Sequence, residues 1–179
     1  MDHTLTLRRA RPSDLDAVDA LLRRSYPRLL RPDYPPSVMV MALPLIVRAN
    51  PDLMASGRYF VAETEEADLI GAGGWSVSSP IGGGEQAAVA HVRHVAVDPA
   101  HVRRGVGRAL MGEVIVDTLR HGARWLDCLS TRTAVPFYER LGFRVLHEVE
   151  VNLRPGIVFP AIRMMRQIAP DSTASPHGA

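Results

Sequence analysis

The segment from His91 to Leu110 constrains the fold more than any other part of the chain. A strand-like run that ends at Val97 passes through a short loop rich in arginine and glycine and continues directly into helical periodicity. At such a junction the first N–H groups of the helix have no intrahelical partner, and the helix dipole adds positive potential. The sequence therefore predicts an anion-binding turn suited to a phosphate group.

This loop offers both backbone and side-chain donors. Gly105 and Gly107 would let the backbone approach an anion closely, and Arg103, Arg104 and Arg108 can form charge-assisted hydrogen bonds to it. All 21 basic residues of the chain are arginine, so the lysine of a phosphate-binding NTPase loop is excluded. A dinucleotide-binding fingerprint is excluded as well, because its third glycine is missing. For this segment alone, an arginine-rich helix start without a ligand is the alternative.

A second motif lies downstream, between Thr131 and Phe143, and contains the run Tyr138-Glu139-Arg140-Leu141-Gly142-Phe143. Together the two segments resemble the GNAT superfamily of acyl-CoA-dependent N-acyltransferases. The family signature is Arg/Gln-x-x-Gly-x-Gly/Ala, followed by Ala-x-x-x-Tyr-x-x-x-Gly-Phe. Two positions depart from it: the first Arg/Gln falls on Val102, or on Arg104 in a register two residues later, and Thr131 stands where many relatives carry asparagine.

The resemblance implies one α/β (α+β) domain over residues 1–168. Its mixed, mostly antiparallel central sheet would be flanked by helices and splayed at the acyl-CoA site. A chain of 179 residues agrees with one domain. Beyond Ala169 the residues are small, polar and interrupted by proline, so we expect a disordered tail over residues 169–179.

Proline positions add three local expectations. The first helix should end near Tyr26-Pro27, because proline disrupts a helix interior. A second helix over Pro35 to Asn50 should be kinked or split at Pro44. In the last strand, Pro160 implies a sheet edge or a bulge.

The resemblance also implies the co-substrate, which is acetyl-CoA, and requires no metal. The pyrophosphate would lie on the backbone of the loop, and the pantetheine arm would run along the preceding strand, as an added strand does. The residues implied for this role are Val95, Ala96, Val97, Arg103, Arg104, Gly105, Val106, Gly107, Arg108 and Thr131.

Three residues are candidates for catalysis. Tyr138 matches the family's tyrosine that protonates the departing thiolate, and simple packing on a short helix is its alternative. His91 and His94 are the candidate bases, although strand parity puts them on opposite faces, so at most one faces the cleft directly. A purely structural histidine is the alternative for each. The acceptor pocket would be walled by Tyr26, Tyr34, Trp75 and Phe159.

The implied activity is transfer of an acetyl group from acetyl-CoA to a primary amine of a small molecule by direct attack. The alternative from another class is a non-catalytic acyl-CoA-binding regulator. Dispersed arginines and few aromatics argue against a nucleic-acid partner. No apolar run is long enough for a bilayer and Cys128 is the lone cysteine, so a cytoplasmic protein without a membrane partner is the simplest expectation. The sequence identifies no specific amine and leaves a homodimer open.

Overall fold

The computed structural model describes residues 5–82 and 84–170, in which seven strands form one sheet with helices on both faces. The strands are β1 (Thr6–Arg9), β2 (Tyr59–Glu63), β3 (Leu69–Ser76), β4 (Val89–Val97), β5 (Trp125–Ser130), β6 (Arg144–Arg154) and β7 (Ile157–Gln167). The helices are α1 (Leu15–Leu30), α2 (Pro36–Ile46), α3 (Pro51–Ala55), α4 (Val106–Arg120) and α5 (Val135–Arg140), with short 3₁₀ turns at Pro12–Asp14 and Arg132–Ala134. Each helix in these residues is too short or too polar to span a bilayer.

The strand order is β1-β2-β3-β4-β5-β7-β6, and every pair is antiparallel except β4 with β5. A parallel pair requires a crossover connection, and α4 supplies it. The predicted mixed, mostly antiparallel sheet is confirmed. The predicted tail begins at Ala169, and residues 171–179 of it lie outside the described part of the chain.

The sheet splits between β4 and β5. These strands pair only where Val89 to His91 lie beside Trp125 to Asp127. Beyond that point β4 continues with β3 and β5 continues with β7, so the two central strands diverge. The opening that results is called the gap below.

Two apolar layers cover the two faces of the sheet. Helices α4 and α5 pack on one face through a core that includes Phe60, Val92, Val106, Leu110, Met111, Val114, Leu126 and Tyr138. Helices α1 and α3 pack on the opposite face through a core that includes Val18, Leu21, Leu22, Leu53, Val61, Ala72 and Ala96. On that same face α2 covers β7, with Met39, Ala42, Phe159 and Ala161 buried between them. The gap therefore opens between two layers of helices.

The predicted end of the first helix is wrong. Helix α1 passes through Pro27 and continues to Leu30. Ser25 is fully buried and Leu30 is 2% exposed, so the last turns are held by tertiary contacts. This burial outweighs the hydrogen bond that Pro27 cannot donate.

The second helical segment divides at a different place from the one predicted. Helix α2 keeps Pro44 within its last turn, and the break falls after Ile46. A separate helix α3 then starts at Pro51, where the Asn50 side chain accepts hydrogen bonds from the N–H groups of Asp52 and Leu53. A strong N-cap followed by proline starts a new helix more effectively than Pro44 ends the old one.

Pro160 was predicted to lie at a sheet edge or a bulge, and it does lie where one neighbouring strand has ended. Strand β7 lies inside the sheet, but its pairing with β5 ends at Ile162. At Pro160 the only neighbouring strand among the described residues is β6, in which Glu150 is the residue paired with Pro160. The missing N–H of proline thus falls where β5 has already ended.

The contact between β3 and α4 gives a testable prediction. A Cβ on Gly71 would lie 2.7 Å from Val106 Cγ1 and 2.9 Å from Leu110 Cδ1. We expect Gly71→Ala to cost about 1–3 kcal/mol in the free energy of unfolding, because α4 must move off the sheet. Gly112→Ala is the matched control, since no atom lies within 4 Å of its Cβ and alanine favours the helix by about 1 kcal/mol. Urea denaturation should move the two variants in opposite directions, and equal shifts would contradict the proposed close contact.

Candidate active site

The loop between β4 and α4 presents consecutive free backbone N–H groups at the start of the helix. Arg103 and Gly105 have left-handed φ values of +63° and +86°, which turn the chain into the helix. The first helical hydrogen bond joins Ala109 N–H to the Gly105 carbonyl at 2.9 Å. Residues 101–103 form a hydrogen-bonded turn, and after it no backbone carbonyl of the described residues accepts from the N–H groups of Gly105 to Arg108. A row of free donors at the start of a 15-residue helix is an arrangement that binds anions.

The side chains of this loop divide into two kinds. Arg103, Arg104 and Arg108 are exposed and form no ion pair within the described ranges. Val106 is 3% exposed and packs in the core, so only its backbone faces the loop. A Cβ on Gly107 would lie 3.1 Å from the ring of Phe137, so this glycine serves close packing of α4 on α5, a role that the sequence did not suggest.

The end of β4 has a free edge on the side of the gap. Val97 and Ala96 pair with β3, while the pairing of β4 with β5 has already ended at His91. Among the described strands, none covers the other edge from Val95 to Val97. An extended chain can add to such an edge through main-chain hydrogen bonds.

Thr131 lies across the gap, directly after β5. Its Oγ1 accepts a hydrogen bond of 3.3 Å from Ala134 N–H and so caps the following 3₁₀ turn. Ser130 donates its own hydroxyl to the Thr131 carbonyl at 2.8 Å. The Thr131 hydroxyl is thus used as an acceptor and retains its proton for donation elsewhere.

Tyr138 reaches the gap from the α4 side of the sheet. Its ring packs edge-on against Phe137 and Phe143, with centroid distances of 5.0 and 5.3 Å, and it is 5% exposed. Its hydroxyl lies close enough to the Cys128 thiol for the two groups to interact. Burial raises the pKa of Tyr138 well above its usual value near 10, and the neighbouring Cys128 makes a smaller contribution in the same direction. The phenol therefore keeps its proton at neutral pH.

Two more tyrosines approach the same place from the α1 side. Burial, and then Cys128, raises the pKa of Tyr26 to about 12, and burial raises the pKa of the Cys128 thiol to about 12. Tyr59 donates its hydroxyl to the His94 carbonyl at 2.9 Å. The interior of the gap is thus lined by uncharged hydroxyl and thiol groups in a poorly solvated setting, where electrostatic interactions are strong.

A bulge in β4 changes the strand parity on which the histidine prediction depended. One additional residue lies between Arg93 and Ala96, opposite Gly73, and His94 within it has a φ of +47°. As a result His91 and Arg93, in register with Ser76 and Gly74, face the α1 side, whereas Val95 packs towards α4. Simple alternation cannot be carried across this bulge.

The surroundings of His94 make it a weak base. Burial, with an added contribution from the positive charge of Arg93, lowers the pKa of His94 to about 4. Its Nδ1 is buried and has no hydrogen-bond partner within the described residues. His94 is therefore neutral at pH 7 and holds a proton poorly.

His91 stands where the strands part and is paired with a carboxylate. Its Nδ1 lies 3.2 Å from Oδ2 of Asp127, and both side chains are 3% exposed. An imidazole whose Nδ1–H faces a carboxylate has, in its neutral form, a lone pair on Nε2. This Nε2 is buried and has no partner among the described residues. The arrangement is that of an oriented base whose second nitrogen is free.

Asp127 is itself held by Arg163 through hydrogen bonds of 3.1 and 3.0 Å. Burial alone would raise the pKa of Asp127, but the hydrogen bonds from His91 and Arg163 lower it overall. Neither Asp127, the partner of His91, nor Arg163, the partner of Asp127, was predicted from the sequence. A charged residue inside the apolar run from Trp125 to Leu129 was the available signal, because such a residue is rarely buried without a partner.

The predicted acceptor wall is only partly assembled. Tyr34 and Phe159 stack with centroids 4.8 Å apart, and Tyr34 also bridges Arg132 N–H and the Pro160 carbonyl, at 2.8 and 2.9 Å. Trp75 does not belong to this wall, and that prediction is wrong. Its side chain lies on the α4 face, 2% exposed, because its Nε1–H donates to Asp117 on α4 at 2.8 Å.

A cavity of about 410 Å³ lies at the other end of β4, between Arg58, Trp75 and His121. It is lined by the start of β4 and the end of α4, so it is separate from the gap. Within residues 5–82 and 84–170, no group of three or more histidine, cysteine or acidic side chains could hold a metal ion.

Comparison with known proteins assigns a family. A family profile described as acetyltransferase (GNAT) domain matches residues 55–145, just over half of the chain. A glucosamine 6-phosphate N-acetyltransferase from Trypanosoma brucei brucei is 36% identical over 66 residues, which are 37% of this chain and 44% of that protein. The match thus spans less than half the length of that relative.

Solved structures share the fold. PaiA N-acetyltransferase from Thermoplasma acidophilum, in complex with coenzyme A, has a TM-score of 0.69 at 13% identity, with 92% of this chain and 99% of that one covered. YncA from Salmonella typhimurium, with acetyl-CoA, has a TM-score of 0.65 at 20% identity and coverages of 98% and 99%. The profile match over more than half of the sequence, together with this fold, shows that the chain belongs to the GNAT family of acetyltransferases.

Proposed function

We propose that this protein transfers an acetyl group from acetyl-CoA to a primary amine of a small molecule by direct attack. The observation that carries the proposal is the divergence of β4 from β5. It brings a free strand edge, a row of unpaired N–H groups, a protonated tyrosine and a carboxylate-paired histidine to one opening.

In this proposal the pyrophosphate of acetyl-CoA binds the N–H groups from Gly105 to Arg108. The arginine side chains add charge at the surface, where they can also meet the 3′-phosphate. The pantetheine arm pairs with the edge from Val95 to Val97, and Thr131 offers its hydroxyl proton from the other side. The relatives solved with coenzyme A or acetyl-CoA support this choice of co-substrate.

The chemistry follows from the protonated hydroxyl of Tyr138 and the unpartnered Nε2 of His91. The amine nitrogen attacks the acetyl carbonyl carbon, and the oxyanion that forms is stabilised by free N–H groups on the β4 edge. His91 Nε2 takes the proton lost by the amine, directly or through one water, and Asp127 stabilises the imidazolium. The C–S bond then breaks, and Tyr138 donates its proton to the departing thiolate. His94 is assigned no proton transfer, because its pKa of about 4 makes it a poor acceptor.

The decisive experiment is an amine panel assayed by release of the coenzyme A thiol. It should include glucosamine 6-phosphate, since the Trypanosoma relative carries that name. We expect calorimetry to show acetyl-CoA binding and at least one amine to release thiol above the rate without amine. Binding without amine-dependent release would favour the non-catalytic acyl-CoA regulator, and no binding at moderate salt would overturn both functions.

The loop arginines give a further prediction. We expect combined Arg103→Gln, Arg104→Gln and Arg108→Gln to raise the Kd for acetyl-CoA by about tenfold or more, because exposed charge-assisted hydrogen bonds are lost. The difference from the wild type should shrink at high ionic strength. Arg120→Gln, at the far end of α4, is the matched control and should leave the Kd unchanged. If the triple variant binds acetyl-CoA as tightly as the wild type at low salt, the backbone alone holds the cofactor.

A further inference from the structure

Arg93 is a half-buried arginine whose only described hydrogen bond goes to a neutral group. Its Nη1 donates to Ser76 Oγ at 3.0 Å. Within the described residues, no carboxylate forms an ion pair with this guanidinium, and burial lowers its pKa. Withdrawing a cation from water without a counter-ion is costly, and a site that holds one is prepared for an anion.

The other half-buried arginines are of two kinds. Arg8 forms ion pairs with Asp14 and Glu63 at 2.7 and 2.5 Å, and Arg163 forms one with Asp127. Arg58, Arg124 and Arg166 form no ion pair within the described residues, although Arg58 lies over the Trp75 ring and Arg124 donates to the Pro170 carbonyl. Arg93 keeps donors to spare, because the guanidinium has five N–H groups and the structure uses one of its nitrogens.

The position of Arg93 connects it with the proposed base. In the β3–β4 register Arg93 lies beside Gly74 and His91 lies beside Ser76, so both side chains leave the same face of the sheet. Residues two apart in a strand are separated by about 7 Å. A small molecule with its amine at His91 would thus bring its neighbouring substituents to Arg93.

We propose that Arg93 binds an anionic group, a carboxylate or a phosphate, on the acceptor amine. This inference rests on the proposed function, because it takes the α1 side of the gap as the acceptor side. The inference restricts the acceptor substrates to amines that carry a negative charge within a few bonds of the nitrogen. The arginine supplies a planar, two-point contact that fits either anion.

Paired substrates test the proposal and separate the two anions. Glycine against glycinamide tests for a carboxylate, and glucosamine 6-phosphate against glucosamine tests for a phosphate. For at least one pair, we expect the wild type to favour the anionic member by about tenfold or more in kcat/KM. Arg93→Gln should lower kcat/KM about 10- to 100-fold for that anionic amine and less than about threefold for its neutral partner. Comparing the variant with the wild type on the same amines cancels their different basicities.

Control variants separate charge from shape. Arg93→Lys keeps the charge and loses the planar fork, so it should fall between the wild type and Arg93→Gln. Arg120→Gln should match the wild type in all four assays. If Arg93→Gln lowers kcat/KM equally for charged and neutral amines, anion binding by Arg93 is overturned, whereas the proposed acetyl transfer is not affected.

A binding experiment tests the same inference without catalytic turnover. Inorganic phosphate is titrated into protein saturated with coenzyme A, so that the loop is occupied, and the imidazole resonance of His94 is followed by NMR because Arg93 lies beside it. We expect phosphate to shift this resonance in the wild type and to bind Arg93→Gln at least about tenfold more weakly. Equal binding by both proteins would overturn the proposal even where no amine reacts.

Discussion

Tyr138→Phe is expected to lower kcat by about a hundredfold while the Kd for acetyl-CoA stays nearly unchanged. A positioned acid contributes about this factor or more, and the variant removes only the hydroxyl that carries the proton. The ring contacts with Phe137 and Phe143 are retained, so the packing that holds α5 should survive. Thiol release under saturating substrates measures kcat, and calorimetry measures binding.

The control for this variant is its stability. The lost partner is the Cys128 thiol, a weak acceptor, so we expect the free energy of unfolding to change by less than about 1 kcal/mol. A fall in kcat with unchanged stability and unchanged Kd would then point to proton transfer. Unchanged kcat would remove Tyr138 from the role of acid and leave it as a packing residue.

Asp127→Asn is expected to destabilise the protein by about 3 kcal/mol and to lower kcat as well. The substitution keeps the shape but leaves Arg163 without its counter-ion and His91 without its carboxylate partner, and breaking a buried ion pair from one side has costs of this size. For a chain of this length the loss corresponds to a fall in Tm of roughly 6–12 °C. Thermal and urea unfolding measure it, and Glu148→Gln, which breaks an exposed pair with Arg132, should cost less than about 1 kcal/mol.

The pH dependence of this effect has a definite sign. The pKa of Asp127 is lower in the folded protein than in the unfolded chain, where it is near 3.9. Its contribution to stability is therefore complete above about pH 4 and is lost as the pH falls through the folded pKa. We expect the difference between the wild type and Asp127→Asn to be constant near neutrality and to narrow below about pH 4. A difference that persists unchanged to lower pH would show that the effect is not the loss of a carboxylate.

Local sequence signals predicted the elements well where local physics decides them. The strand, loop and helix from β4 to α4 were predicted because glycine, apolar spacing and capping act over a few residues. The end of α1 was not, because Pro27 lies in turns that tertiary burial holds in place, so that long-range packing outweighs a local preference. The end of α2 was not, because the Asn50 cap and Pro51 start a new helix after Ile46.

The candidate site was predictable in part. The loop proposed to bind an anion and Tyr138 were both predicted from contiguous motifs that resemble the GNAT family. The partnership of His91 with Asp127 does not, because it joins two strands separated by a whole helix. The left-handed His94 bulge was also not predicted, although it leaves a mark: the residues packed on the α4 side are Ala90, Val92, Val95 and Val97, with a spacing of three between Val92 and Val95.

The sequence by itself determined which chemistry is available: a lysine-free loop of arginines and glycines at a helix start, and a tyrosine in a family motif. Those features depend on residue type and short spacing, and both can be read directly from the amino-acid sequence. Only the tertiary structure decided that His91, and not His94, is paired with Asp127, and that the half-buried Arg93 on the same face has no carboxylate partner within the described residues. That choice depends on strand register and on burial, and both are set by contacts between residues far apart in the chain.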